Sequence, residues 1–135
     1  MDDNKIMKRR ILVVDDEPYV CEAIKMVLEM DGHNVVAANN GAEALEIFRA
    51  QPFDLLITDY SMPGMKGDEL AAAAKVHNPA LPIIMISAYV EKLTGEGAPL
   101  RHVSELVAKP FRLDEIKQAM QRVLNNGATA DAVCA

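Results

Sequence analysis

Five residues of this 135-residue chain could do chemistry together, because each closes a short apolar run. Asp15 and Asp16 follow Ile11–Val14, Asp59 follows Phe53–Thr58, Ser87 follows Ile83–Ile86, and Lys109 follows Leu106–Ala108. Three converging carboxylates repel one another unless a cation intervenes. An oxygen-only donor set favours a hard ion, with Mg2+ the obvious candidate. A carboxylate beside such an ion, with an ammonium group on its other side, matches a phosphoryl acceptor. The two cations offset charge that spreads over the phosphoryl oxygens, and an Asp nucleophile would give an acyl phosphate. Ser87 could then donate a hydrogen bond to the arriving phosphoryl group. Taken singly, each residue has a plainer explanation. Asp15 and Asp16 can favour a helix start, Asp59 can open a turn, Ser87 can be a turn hydroxyl, and Lys109 can be solvated. Their weight comes from falling together at successive run ends.

Such convergence needs a fold that gathers the ends of its strands. The apolar runs Ile11–Val14, Asn34–Ala38, Phe53–Thr58, Ile83–Ile86 and Leu106–Ala108 have strand length and alternate with helical patterns. Pro18 opens the first helix, where its missing N–H does no harm. Val20, Ile24, Val27 and Leu28 form one stripe of it; Tyr19, Ala23, Met26 and Met30 form a second, which predicts a well-buried helix. Gly32 stops it. Asn40 and Glu43 have capping-box spacing at the start of a second helix, which ends before Pro52. An Ala-rich third helix covers Asp68–Val76, and Leu113, Ile116, Met120, Val123 and Leu124 mark the last. Between the fourth and fifth strands, Tyr89–Val103 carries Gly95, Gly97 and Pro99, which argues for a shortened, displaced or irregular fourth helix. A βαβαβαβαβα order predicts a parallel sheet with helices on both faces. Ligands then bind beyond the carboxyl ends of the strands, where the five residues lie. The expected organisation is one domain over residues 1–124 and a flexible tail over 125–135.

Composition narrows the partners. A net charge of -6 argues against direct binding to DNA or to an anionic membrane. The one dense basic run, Lys8-Arg9-Arg10, reads as a solvated strand entry. Cys21 and Cys134 are too few for a disulfide framework and suit a reducing compartment, most simply the cytoplasm. No signal peptide or membrane-spanning run is visible. His33, His77 and His102 share no metal-ligand spacing and read as loop or surface residues. The Met residues read as core filler. No Gly-rich phosphate loop follows the first strand, which argues against a dinucleotide binder. Asp59 is followed by Tyr60 and Ser61, so the D-x-D arrangement of Asp-dependent phosphohydrolases is missing.

The segments ILVVDDEP (11–18), DLLITDYSMPGMKGDEL (54–70), PIIMISA (82–88) and LVAKPF (106–111) resemble the receiver domain of bacterial two-component response regulators. The resemblance runs from about Ile11 to Leu124. It implies a flavodoxin-like α/β fold, a doubly wound five-stranded parallel sheet in the order 2-1-3-4-5. It further implies that Asp59 is phosphorylated in a Mg2+-dependent reaction, with Asp16, Asp59 and the Ser61 carbonyl as metal ligands and Asp15 acting through metal-bound water. Lys109 would pair with Asp59 and then with the phosphoryl group, and Ser87 would be the switch hydroxyl. Ala88 would leave room for the phosphodonor, and the Lys109-Pro110 bond would be cis. The donor would be a sensor histidine kinase or a histidine phosphotransfer protein. The signal would pass to a downstream protein by phosphorylation-dependent contact. Such a chain catalyses only its own phosphorylation and dephosphorylation. Three departures stand out: Leu106 replaces the usual aromatic, Tyr89–Val103 is Gly/Pro-rich, and Lys66 replaces the usual cap of the third helix. The first two motivate an alternative, a phosphorylation-independent interaction module on the same fold.

Overall fold

The central strands are buried along nearly their whole length because helices cover both of their faces. The computed structural model describes residues 8–88 and 102–134, with side chains through Leu124. Its strands are β1 (Arg10–Val14), β2 (Asn34–Ala38), β3 (Leu55–Asp59), β4 (Ile83–Ser87) and β5 (Glu105–Ala108). They pair in parallel in the order β2-β1-β3-β4-β5, as the resemblance implied. The described helices are α1 (Pro18–Met30), α2 (Gly41–Ala50), α3 (Gly67–His77) and α4 (Leu113–Cys134). The irregular helix expected within Tyr89–Val103 lies, from residue 89 to residue 101, outside the described residues.

Alternation along β1 divides the core. Ile11 and Val13 point to one face and join Cys21, Ile24 and Leu28 of α1 and Ile116, Ala119 and Met120 of α4. Leu12 and Val14 point to the other and join Ala44, Leu45 and Phe48 of α2 and Leu70, Ala71 and Ala74 of α3. A one-residue slip of β1 would exchange these two sets, so the register is tightly specified. The aliphatic core follows from the absence of Trp.

Local signals set the element ends. The Asn40 side chain accepts the Glu43 N–H at 2.8 Å, and the Glu43 carboxylate accepts the Asn39 N–H at 2.8 Å, so α2 starts on reciprocal caps. Gly32 follows α1 at φ 94°, a conformation that suits a residue without Cβ. Arg10 enters the sheet with its Nε donating to the Pro52 carbonyl at 3.0 Å and its guanidinium over the Phe53 ring.

Three expectations need correction. The second stripe of α1 is not buried: Tyr19, Met26 and Met30 are 70%, 60% and 78% exposed. A helix lying on one face of a sheet turns a single stripe inward, and Cys21, Ile24 and Leu28 occupy it. His33 is not a surface residue. It is buried between α1 and β2, where its Nδ1 accepts the Arg9 backbone N–H at 3.0 Å. The last helix does not end at Leu124: its backbone stays helical to Cys134, through residues expected as a tail.

Candidate functional site

Strand register brings the chemistry-bearing residues together. Val14 pairs with Thr58, so Asp15 and Asp59 emerge side by side from adjacent strands. Ser87 pairs with Ala108, and the Ser87 carbonyl accepts the Lys109 N–H at 2.9 Å. The strand order steps from β1 outward to β2 on one side and to β3 on the other. Asp15 and Asp59 therefore flank the switch point, where the loops diverge and leave a crevice.

An open cleft of about 250 Å3 lies there, lined by Asp16, Glu17, Asp59, Ser61, Ala88 and Lys109. Asp15 and Ser87 are each 1% exposed, deeper than the rim. Carboxylate oxygens of Asp15, Asp16 and Asp59 lie within 4.8 Å of one another. The Lys109 ammonium stands 3.0 Å from Asp59 Oδ1 and 3.5 Å from Asp15 Oδ2. The Lys109-Pro110 peptide bond is cis. Among the described residues, Lys109 thus faces the Asp15, Asp16 and Asp59 cluster with Glu17 at the rim, and the negative balance leaves room for a divalent ion.

The protonation equilibria reflect that balance. Burial pushes the Asp15 carboxyl up to about 6, and Asp59 and Asp16 add to the rise; the Glu17 N–H, donated to Asp15 Oδ1 at 2.9 Å, and Lys109 oppose it. Asp59 is raised by burial, against the pull of Lys109 and with a further push from Asp16 and Glu17. Burial draws Lys109 down, but Asp59 and Asp15 outweigh it and hold the ammonium above its ordinary value. Crowded, partly desolvated acids of this kind are a donor set that suits a hard cation, whose charge would offset the repulsion between them.

Two groups at this end were not legible as parts of it. The Thr58 hydroxyl, fully buried, donates to the Asp59 carbonyl at 3.0 Å and steadies the backbone that carries the acid. In sequence a Thr in a strand looks like any β-branched residue. At the start of α3 the Glu69 carboxylate accepts the Lys66 N–H at 2.9 Å. Its position three residues after Lys66 is the capping-box signal. Lys66 itself has no side-chain acceptor for the cap; its ammonium sits over the Tyr60 ring, 5.9 Å from the centroid. Leu106 is half buried on β5, in register with Met85. Tyr89 lies outside the described residues.

A five-stranded parallel α/β sheet with acids at its switch point defines a class of ligand-binding α/β domain. Residues 11–121 match the family model described as the response regulator receiver domain, and the chain belongs to that family. It is 31% identical over 116 residues to the response regulator receiver protein CpdR of Brucella abortus, which covers 86% of this chain and 97% of CpdR. It is 34% identical over 122 residues to the transcriptional regulatory protein ZraR of Escherichia coli, covering 90% of this chain but 28% of ZraR. Among solved structures, the response regulator TrrA of Thermotoga maritima, in complex with Mg2+ and BeF, superposes with a TM-score of 0.77 at 37% identity, over 87% of this chain and 99% of that one. Among the described residues no helix is long and apolar enough to cross a membrane.

Proposed function

We propose that the domain accepts a phosphoryl group on Asp59 from a phosphohistidine donor, a sensor histidine kinase or a histidine phosphotransfer protein, and signals through contacts that depend on that mark. The observation that carries the reading is the Asp59 carboxylate held 3.0 Å from Lys109 in a cleft shared with Asp15 and Asp16. That TrrA was captured with Mg2+ and a beryllofluoride group supports the same use of the cleft.

The site suits in-line transfer. An Asp59 carboxylate oxygen attacks phosphorus, the new P–O bond forms, and the P–N bond to the donor imidazole breaks with its electron pair leaving on nitrogen. Asp15, Asp16, Asp59 and the Ser61 carbonyl would hold Mg2+, which when bound offsets charge on the phosphoryl oxygens. Lys109 neutralises Asp59 in the resting state and is placed to follow the charge onto the phosphoryl group. Ser87, at the end of β4, is placed to hydrogen-bond a phosphoryl oxygen. Glu17 and Ala88 complete the rim, and the small Ala88 side chain leaves an approach to Asp59.

The test is mass spectrometry after incubation with acetyl phosphate and Mg2+. The wild type should gain one phosphoryl group and Asp59→Asn none. No gain in the wild type, or an equal gain in Asp59→Asn, refutes the proposal.

A further inference from the structure

Helix α3 begins against the backbone of the very residue the function needs. The Gly67 N–H donates to the Tyr60 carbonyl at 2.9 Å and closes the loop between β3 and α3. A Cβ placed on Gly67 would overlap the Asp59 carbonyl oxygen and stand 2.8 Å from Tyr60 Cα and 3.1 Å from the Asp59 carbonyl carbon. These neighbours are backbone atoms in the last strand residue and the first loop residue, so no side-chain rotation relieves the contact. Gly67 does not sit at positive φ, so the constraint is one of space and not of conformation. The atoms it presses on are already fixed from the other side. The Thr58 hydroxyl holds the Asp59 carbonyl at 3.0 Å, and the Tyr60 N–H bonds the Ile86 carbonyl at 2.9 Å. The Glu69 carboxylate, bonded to the Lys66 N–H at 2.9 Å, fixes the other end of the seat.

We propose that Gly67 is a positioning residue for Asp59: its missing side chain lets α3 close on the Asp59-Tyr60 backbone and fixes where the phosphoacceptor and the Ser61 carbonyl point. The role rests on the reading of Asp59 above. Mg2+ demands near-ideal octahedral geometry at short metal–oxygen distances. An added methyl must displace that backbone by several tenths of an ångström, and the cost should appear in metal affinity as well as in stability.

The experiment is a Mg2+ titration of the folded protein, well below its melting temperature, with Gly67→Ala, Glu69→Ala and Phe53→Leu alongside the wild type. Gly67→Ala should bind Mg2+ about tenfold more weakly and take up phosphoryl groups from acetyl phosphate correspondingly more slowly, the size of loss seen when groups that orient metal ligands are removed. Phe53→Leu, a core change preceding β3 at its far end from Asp59, should lower the melting temperature with Mg2+ affinity unchanged; a purely structural role for Gly67 would give this same pattern. A folded Gly67→Ala with wild-type Mg2+ affinity overturns the proposal. Should Gly67→Ala not fold, Glu69→Ala decides, because it loosens the same seat without adding an atom: weakened Mg2+ binding supports the role and wild-type binding overturns it. A wild type that does not bind Mg2+ refutes the reading of the cleft, and the role of Gly67 falls with it. Wild-type binding with an unaffected Gly67→Ala refutes the role alone.

Discussion

Replacing Asp15 with Asn should stabilise the metal-free protein while weakening its hold on Mg2+. Asp15 is 1% exposed, and burial together with Asp59 and Asp16 raises its carboxyl from 3.8 to about 6. A displacement of that size corresponds to roughly 3 kcal/mol charged against the ionised form in the fold. The sign follows from linkage: between about pH 4 and 6 the native state binds more protons than the unfolded chain, so stability falls as pH rises through that window. Above it the penalty is fully present; below the unfolded value it is absent. Asn keeps an oxygen for the Glu17 N–H but gives up the 3.5 Å contact with Lys109. The net gain at pH 8 in EDTA should be about 1–3 kcal/mol, shrinking toward zero near pH 4. Urea unfolding in EDTA at both pH values measures it. Excess Mg2+ should reverse the order, since a ligand at a hundred times its Kd stabilises the wild type by about 2.7 kcal/mol. A variant less stable than the wild type at pH 8 in EDTA, or a gain of equal size at pH 4, would refute the account of the cleft as strained by its own acids.

The remaining predictions concern neighbouring groups. Lys109→Met should act in the opposite direction and destabilise the metal-free protein by about 1–3 kcal/mol at pH 8, because it leaves Asp59 and Asp15 without their cation; urea unfolding would show it. His33 is lowered by burial, with Arg9 adding to the fall and Asp31 opposing it. Its folded value lies below the unfolded one, so it costs stability as pH drops below about 6.5. His33→Asn keeps an acceptor for the Arg9 N–H and should flatten that acid-side loss in thermal melts from pH 7 to 5. Asn40→Ala removes the side-chain bond to the Glu43 N–H and should cost about 1 kcal/mol in urea unfolding, with acetyl phosphate labelling of Asp59 unchanged.

Some of this was carried by local pattern alone. Apolar runs of strand length alternating with helical stripes determined a parallel α/β sheet, because that alternation has few other packings. Acids and a lysine at the run ends marked the site, since strand ends are where such sheets bind ligands. The capping pair Asn40 and Glu43 was readable because its partners lie three residues apart. Other features depend on residues distant in sequence and had no local signal. Hydrophobicity alone did not distinguish the inward stripe of α1 from the outward one, and Tyr19, Met26 and Met30 proved exposed because a sheet covers only one side of a helix. His33 reads as a loop or surface residue; it does lie in the loop between α1 and β2, but its burial has no local signal, because its partner Arg9 stands at the entry to a different strand.

The sequence by itself determined the set of reactive groups, Asp15, Asp16, Asp59, Ser87 and Lys109, and the type of sheet that could gather them. Only the tertiary structure decided their relations: which acid is buried and which lines the rim, that Lys109 lies closer to Asp59 than to Asp15, and that Gly67 seats α3 on the Asp59 backbone. The reason is physical. Side-chain chemistry and short-range periodicity are written in the order of residues. Desolvation, charge balance and steric fit arise only when β1, β3 and β5 deliver residues more than forty positions apart to one cleft.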